Sequence, residues 1–349
     1  MNNKRNYGID LLRIILMFMV CMLHTLGHGG ILSSSPFGTL QHKTFYLLEV
    51  ASYCAVDSFA MISGYMAINK PQKYEKLVEM WFQVVFYSFV VTSFFSIIGI
   101  YSGFEIKEMI KCAMPMTFSK FWYFTAYFGL FFVMPLLNQF ISSIDEKTAR
   151  IGFLILILPF SVIETLFGVF KTNGLYSVFG LIILYCIGGF AKKGRIFEKT
   201  KTSILIIAWL VCLVTTWLVI ILFNNTLLMF YQSPTILFCG LLMVIIFSRI
   251  PTKGTLIKLF SPFIFGVYLF HQNQVIWGYL KGTFSFVSEL PVLQGVLYAF
   301  LIASIIFISG LCVVAVRSKL SKLIGIPTLS KKIVQVIKSM LFKASKLLD

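Results

Sequence analysis

Apolar runs of about 20 residues recur along the whole chain, and a helix of that length spans the hydrocarbon core of a bilayer. In lipid such a segment must satisfy its own backbone hydrogen bonds, which a helix does. Of the 349 residues, 58% are hydrophobic and only 12% are charged, whereas a soluble domain carries about 25% charged residues. The sequence therefore predicts an all-α, polytopic integral membrane protein.

We predict about ten transmembrane helices, joined by segments too short to fold as soluble domains. The predicted spans are residues 9–28, 45–67, 79–101, 121–141, 150–170, 174–191, 203–223, 232–249, 260–279 and 292–316. Residues 1–316 thus form a predicted transmembrane domain, and residues 317–349 form a basic tail.

The Lys and Arg residues are distributed unevenly between the two sides of these helices. Alternating the spans across the membrane places 24 of the 30 on one side, including eight from Arg317 onward. The positive-inside rule identifies that side as cytoplasmic, so both termini are predicted to be cytoplasmic. The net charge of +17 is then an orientation signal, and we expect no nucleic-acid partner. The seven cysteines form no Cys-x-x-Cys pair, so no metal site is expected.

The tail combines apolar and basic residues at helical spacing. One face carries Ile333, Val334, Val336, Ile337, Met340, Leu341 and Leu348, and the other carries Lys331, Lys332, Lys338, Lys343 and Lys346. This pattern predicts a helix that lies on the anionic inner leaflet. A disordered basic tail is the alternative.

Ionisable residues inside a membrane span are costly, and the first predicted span contains three of them. Asp10 and Arg13 are three residues apart and can pair on the helix surface. Arg13 and His24 are eleven apart, about three turns and 16 Å, so they share a helix face. Alternatively, Arg13 snorkels to the interface and His24 makes a helix–helix hydrogen bond. We expect His28, one turn further, to be mainly solvated.

Three more ionisable residues fall within later spans. Asp57 lies midway along the second span and needs a partner, which Arg13 or His24 could supply. Glu164 is a second buried acid for which the sequence indicates no partner. His271 precedes the polar run Gln272-Asn-Gln274. It belongs either to a structural polar network or to the lining of an active site.

At these residues the chain resembles the acyltransferase-3 family, membrane enzymes that modify bacterial cell-surface glycans. The matching segments occur in the family's order over nearly the whole chain: Asp10-Leu-Leu-Arg13 with His24, Val56-Asp57, Ser63-Gly64-Tyr65, Phe121-Trp122-Tyr123-Phe124, Pro135-Leu-Leu-Asn138, Tyr231-Gln-Ser-Pro234 and Tyr268-Leu-Phe-His271. An Arg and a His separated by ten residues are typical of this family. Its ten-helix architecture agrees with the count from apolar runs.

The resemblance implies transfer of an acyl group, usually acetyl, from acyl-coenzyme A to a sugar hydroxyl in the bacterial plasma membrane. It implies that His24 is catalytic and that Arg13 engages the donor. Asp57 is the third predicted catalytic residue, which either orients His24 or holds Arg13. The predicted substrate-binding residues are Asp10, Ser63, Tyr65, Trp122, Tyr123 and His271.

The sequence is compatible with several alternatives for the acceptor, the acyl group and the functional class. The acceptor is predicted to be a surface glycan, such as a capsular polysaccharide, or its lipid-linked precursor. A protein or an amino acid is the alternative acceptor, and succinyl or another acyl group could replace acetyl. A glycan exporter or flippase without acyl-transfer chemistry is the alternative from a different functional class.

Overall fold

The computed structural model describes residues 5–68, 70–103 and 105–345, and every regular element in these ranges is helical. Counting each continuous helix once, they contain thirteen α-helices. These are α1 (Tyr7–His28), α2 (Leu40–Ala67), α3 (Tyr74–Ile97), α4 (Ile106–Ala113), α5 (Trp122–Ser143), α6 (Glu146–Phe167), α7 (Val178–Lys193), α8 (Thr202–Phe223), α9 (Pro234–Ser248), α10 (Thr255–His271), α11 (Gln274–Leu280), α12 (Val292–Leu323) and α13 (Ile326–Ser345).

Seven helices in the described ranges are long and apolar enough to cross a membrane, namely α1, α2, α3, α5, α6, α8 and α12. The chain is therefore a multi-pass membrane protein. The other three predicted spans coincide with α7, α9 and α10, which have 15 to 17 residues. At 1.5 Å per residue these helices are about 24 Å long. Length and composition thus support seven spans where ten were predicted.

The short helix α7 lies inside the bundle, whereas the long helix α8 lies at its surface. Eleven of the 16 residues of α7 are buried, compared with four of the 22 in α8. Two glycines bring α7 against α2. A Cβ atom at Gly64 would lie 1.9 Å from the carbonyl oxygen of Tyr185, and one at Gly188 would lie 2.2 Å from that of Met61. Small residues permit such close backbone contact between membrane helices.

Three of the long helices change to π-type hydrogen bonding for about one turn. These turns are His24–His28 in α1, Phe86–Val90 in α3 and Leu158–Ile163 in α6. Pro159 accounts for the third, because proline has no N–H to donate to the α-helical ladder. Single π turns often occur at functional sites, and the first of these begins at His24.

The predicted span 260–279 is divided into two helices, α10 and α11. The division is at Asn273, whose side chain accepts a hydrogen bond from the Val275 N–H at 3.0 Å. The same side chain donates to the Tyr87 carbonyl oxygen at 2.7 Å and to Thr92 Oγ1 at 2.9 Å. Asn273 therefore caps α11 and also holds this break against α3.

The C-terminal region is helical on both sides of residue 316. Helix α12 continues to Leu323, and the chain turns at Gly325, which has a φ of +78°. Helix α13 then exposes Val336, Ile337, Met340 and Leu341. Lys346 and Leu348, which belong to the predicted amphipathic pattern, lie outside the described residues.

Candidate active site

A cavity of about 280 Å³ lies along α1 in the described part of the chain. Arg13 and His24 both line it, so it extends over about three helical turns. Ser63 of α2 and Trp122 and Tyr123 of α5 line it as well. Five of the nine residues predicted for the site thus surround a single cavity.

Asp10 is the centre of a charged cluster at the Arg13 end of the cavity. It is 5% exposed and accepts a hydrogen bond from Arg13 Nη1 at 2.9 Å, so the predicted pairing is present. It also pairs with Arg5 and accepts from Ser261 Oγ at 3.1 Å. Two guanidinium groups around one carboxylate leave a net positive charge there, which favours anions.

His24 forms a hydrogen-bonded pair with His271. Nδ1 of His24 lies 2.9 Å from Nε2 of His271, and Nδ1 of His271 lies 2.7 Å from the Val267 carbonyl oxygen. A carbonyl oxygen can only accept, so Nδ1 of His271 carries the proton and its Nε2 is the acceptor. Nδ1 of His24 must then donate, so the lone pair of the His24 ring lies on Nε2. That nitrogen is the only one that can accept from Gln272, whose side-chain amide nitrogen is 3.1 Å from both ring nitrogens.

Trp277 of α11 forms a wall beside His24. Its ring meets the imidazole of His24 at 90°, with 4.7 Å between centroids. The ring of His28 stacks on Trp277 at 3.5 Å, and its Nε2 lies 2.8 Å from the Trp277 carbonyl oxygen. The expectation that His28 is mainly solvated is therefore wrong, because this side chain supports the wall around His24.

Asp57 and Tyr65 do not line the cavity. Asp57 is fully buried, and within the described residues neither carboxyl oxygen has a hydrogen-bond partner. Neither Arg13 nor His24 is hydrogen-bonded to Asp57, so neither predicted partner holds this carboxyl group. The hydroxyl of Tyr65 lies 3.4 Å from Ser248 Oγ, and the Lys192 ammonium lies 4.9 Å above its ring.

Glu164 has a clear structural role. Its carboxylate accepts hydrogen bonds from the backbone N–H groups of Phe170 and Thr172, both at 2.7 Å. The hydroxyl of Thr172 adds a third at 2.9 Å. A carboxylate can accept several such bonds, and here they fold the segment after α6 back over the end of that helix.

Several residues at or beside the cavity were not among the site residues predicted from the sequence. Tyr127, Tyr268 and Gln272 line the cavity, and Trp277 contacts His24. Gln272 belongs to the polar run that follows His271, and the polarity of that run within a predicted span could have indicated Gln272 as a site residue. Reading Asn273 as a helix cap would have predicted the break between α10 and α11, whereas the contact of Trp277 with His24 depends on tertiary packing.

The segment before α5 packs against α11. Lys120 pairs with Glu108 of α4, and its ammonium donates to Gln274 Oε1 at 2.6 Å. Burial favours a higher pKa for Glu108, but hydrogen bonds from Lys120 and Lys111 outweigh it and hold the pKa below its usual value. These contacts place the start of α5 beside the element that carries Trp277.

Comparison with known proteins gives a family match. The model of a family described as an acyltransferase domain matches residues 6–315. No curated protein and no solved structure matches the chain significantly. The matched region contains every residue that lines the cavity, and it also contains His271.

Proposed function

The chain belongs to the acyltransferase-3 family and is thus a membrane acyltransferase, and from that premise we propose its reaction. It transfers an acetyl group from acetyl-coenzyme A to a sugar hydroxyl of a cell-surface polysaccharide, or of its lipid-linked precursor. The observation that supports this most is the cavity that connects Arg13 with His24.

His24 acts as the general base in the proposed reaction. A sugar hydroxyl is a weak nucleophile, and Nε2 of His24 takes its proton as the oxygen attacks the thioester carbonyl. The tetrahedral intermediate expels the thiolate, and the C–S bond breaks. The imidazolium of His24 returns the proton to the sulfur. His271 accepts the hydrogen bond from Nδ1 of His24 throughout and so keeps the lone pair on Nε2, where the acceptor hydroxyl takes the place of the Gln272 amide.

Arg13 binds the anionic part of the donor. Its guanidinium lines the cavity, and Asp10 fixes its orientation while the adjacent Arg5 keeps the local charge positive. A planar guanidinium suits bidentate binding of phosphate. The distance of about 16 Å to His24 is one that an extended pantetheine arm can bridge. Donor phosphates at Arg13 would therefore leave the thioester near His24.

We further propose that the protein crosses the bacterial cytoplasmic membrane ten times with both termini in the cytoplasm. Helices α7, α9 and α10 stand where three of the ten spans are predicted, and the interior position of α7 reduces its need for length. The charge asymmetry supports the orientation. The exposed apolar face of α13 with its lysines supports binding to the anionic inner leaflet.

Replacement of His24 by Ala tests the proposed reaction. Loss of a general base costs about 10²–10⁴-fold in rate, so mass spectrometry of surface glycans should show loss of acetyl groups while the protein remains in the membrane. His42→Ala is the matched control, because His42 is a buried histidine of α2 that does not line the cavity.

Two outcomes would contradict the proposed function. Near-normal acetylation by membrane-inserted His24→Ala would remove His24 from the mechanism. If deletion of the gene removed the glycan from the surface without changing the acetylation of the glycan that remains inside, the exporter alternative would be supported instead.

A further inference from the structure

Three aromatic rings from three separate segments meet at the cavity. Trp122 begins α5, Tyr176 precedes α7 and Tyr231 precedes α9. The rings of Trp122 and Tyr231 both line the cavity and are nearly parallel, with an interplanar angle of 18° and 6.5 Å between centroids. The Tyr176 ring lies 4.7 Å from each of them and is 41% exposed. The cluster therefore connects the cavity with the molecular surface.

The cluster lies at the His24 end of the cavity. Phe121, next to Trp122, shares a small pocket with Gln272, whose amide contacts His24. Tyr231 and Trp122 are thus on the side where acyl transfer is proposed, and Arg13 is about three helical turns away.

The loop that carries Tyr176 has an unusual backbone. Lys171, Asn173 and Leu175 have φ values of 48°, 51° and 64°, in the left-handed region that side chains other than glycine rarely adopt. Such conformations persist only where the surroundings enforce them. Glu164 does so, through its bonds to the N–H groups of Phe170 and Thr172. The fold therefore fixes the position of Tyr176 at an energetic cost.

An unpaired hydrogen-bond acceptor lies beside the same loop. The side-chain oxygen of Gln232 is buried and has no hydrogen-bond partner among the described residues. It lies 3.7 Å from the position that a Cβ atom would occupy at Gly174, and Gln232 directly follows Tyr231. A buried acceptor without a donor is costly, and because Gln232 does not line the cavity, this oxygen adds to the energetic cost of the loop conformation.

We propose that Trp122, Tyr176 and Tyr231 form the subsite that binds a sugar ring of the acceptor. This proposal rests on the proposed function, because it assigns the acceptor side of the same cavity. The C–H faces of a pyranose are apolar and stack on the negative faces of aromatic rings. A lipid chain has no flat face that could stack on these rings.

Binding can be measured without the acetyl donor. The full-length protein in nanodiscs would be titrated with methyl glycosides of glucose, galactose and N-acetylglucosamine, with tryptophan emission as the readout. We expect a saturable change that Trp122→Phe largely removes. Tyr176→Ala should raise the apparent Kd about tenfold, the size of a lost aromatic contact. Tyr298→Ala is the matched control, since Tyr298 has a similar exposure of 44% and lies outside the cluster.

The outcomes separate this subsite from the acyl-transfer reaction. The subsite is supported if a glycoside changes the emission of Trp122 and if Tyr176→Ala, but not Tyr298→Ala, raises the apparent Kd. This holds even if no acetyl transfer is found. Absence of a saturable change with all three glycosides would overturn it, as would equal affinities of Tyr176→Ala and Tyr298→Ala. A change produced by 1-octanol but not by glycosides would identify an acyl-chain site and would likewise overturn it.

Discussion

At the scale of residues, the environment of His24 explains how one imidazole can be prepared as a base. Its Nδ1 donates to His271, which is in turn fixed by the carbonyl of Val267, so the tautomer of His24 is determined by a backbone group two hydrogen bonds away. Trp277 restricts the rotation of the ring. Under the proposed reaction His271 is a positioning residue, because it does not line the cavity and would act through His24.

Substitution of His271 should separate this positioning role from a packing role. In His271→Ala, Nδ1 of His24 loses its acceptor, and we expect kcat for acetyl transfer to fall about 100-fold with an unchanged KM for acetyl-coenzyme A. His271→Gln offers a side-chain oxygen near the former position of Nε2 and should restore part of kcat. Steady-state kinetics of the three proteins in proteoliposomes would measure this. Equal losses in both variants, accompanied by less folded protein, would indicate a structural role only.

The sequence predicted Arg13 and His24 together because the geometry of a single α-helix is local and regular. An eleven-residue spacing is enough to place both on one face, and the π turn begins only at His24, so it does not disturb that alignment. The partner of His24 could not be predicted in this way. His271 is 247 residues away, and the contact depends on how α10 packs against α1. The same limit applies to Glu164, whose partners are backbone groups of a loop.

At the scale of elements, α4 and the chain up to Lys120 form a cover over the start of α11. Lys120 joins the two by pairing with Glu108 and donating to Gln274. Cys112 of α4 is only 1% exposed beneath this contact. Between α3 and α5 the structure thus shows a short helix that Lys120 joins to the start of α11.

Lys120→Met should loosen this cover and expose Cys112. We expect faster labelling of Cys112 by a thiol reagent at neutral pH, measured by mass spectrometry of the labelled peptide. Because the pKa of Glu108 is lowered in the folded protein, its ion pairs persist at neutral pH and are lost as the pH falls through that lowered value. Acidification should therefore loosen this cover in the parent protein as well. Lys107→Met, an exposed change on the same helix, should have no effect, and equal labelling of the two variants would contradict the role of Lys120.

At the scale of the whole molecule, the cavity separates a charged end at Arg13 from an aromatic end near His24. The seven longest helices were predicted from apolar length alone, because lipid contact demands that length. Helices α7, α9 and α10 have only 15 to 17 residues, so apolar length alone identifies them less clearly as membrane spans. The buried helix α7 contacts mainly protein, so α2 and its other neighbours determine its length more than the bilayer does.

This polarity predicts that the two substrates reach the cavity from opposite sides. Sealed inverted vesicles given labelled acetyl-coenzyme A on their outer, cytoplasmic face should acetylate glycan, whereas right-side-out vesicles given the donor outside should not. Detergent permeabilisation should make the acetylation by the two preparations equal. The predicted spans place Ser119 on the extracytoplasmic side, so labelling of Ser119→Cys by an impermeant reagent reports the vesicle orientation. Efficient acetylation by donor supplied only outside right-side-out vesicles would contradict the proposed arrangement.

The composition of the cavity wall bears on which nucleophile the acetyl group reaches. Water is far more abundant than any sugar and would hydrolyse the thioester if it reached the activated imidazole. Met17, Val20, Phe59, Ile264 and Phe265 all line the space between Arg13 and His24, and an apolar wall gives stray water few hydrogen-bond partners. Under the proposed reaction, this wall sets the partition between productive transfer and wasteful hydrolysis, so the yield of ester per donor consumed depends on residues that take no part in the chemistry.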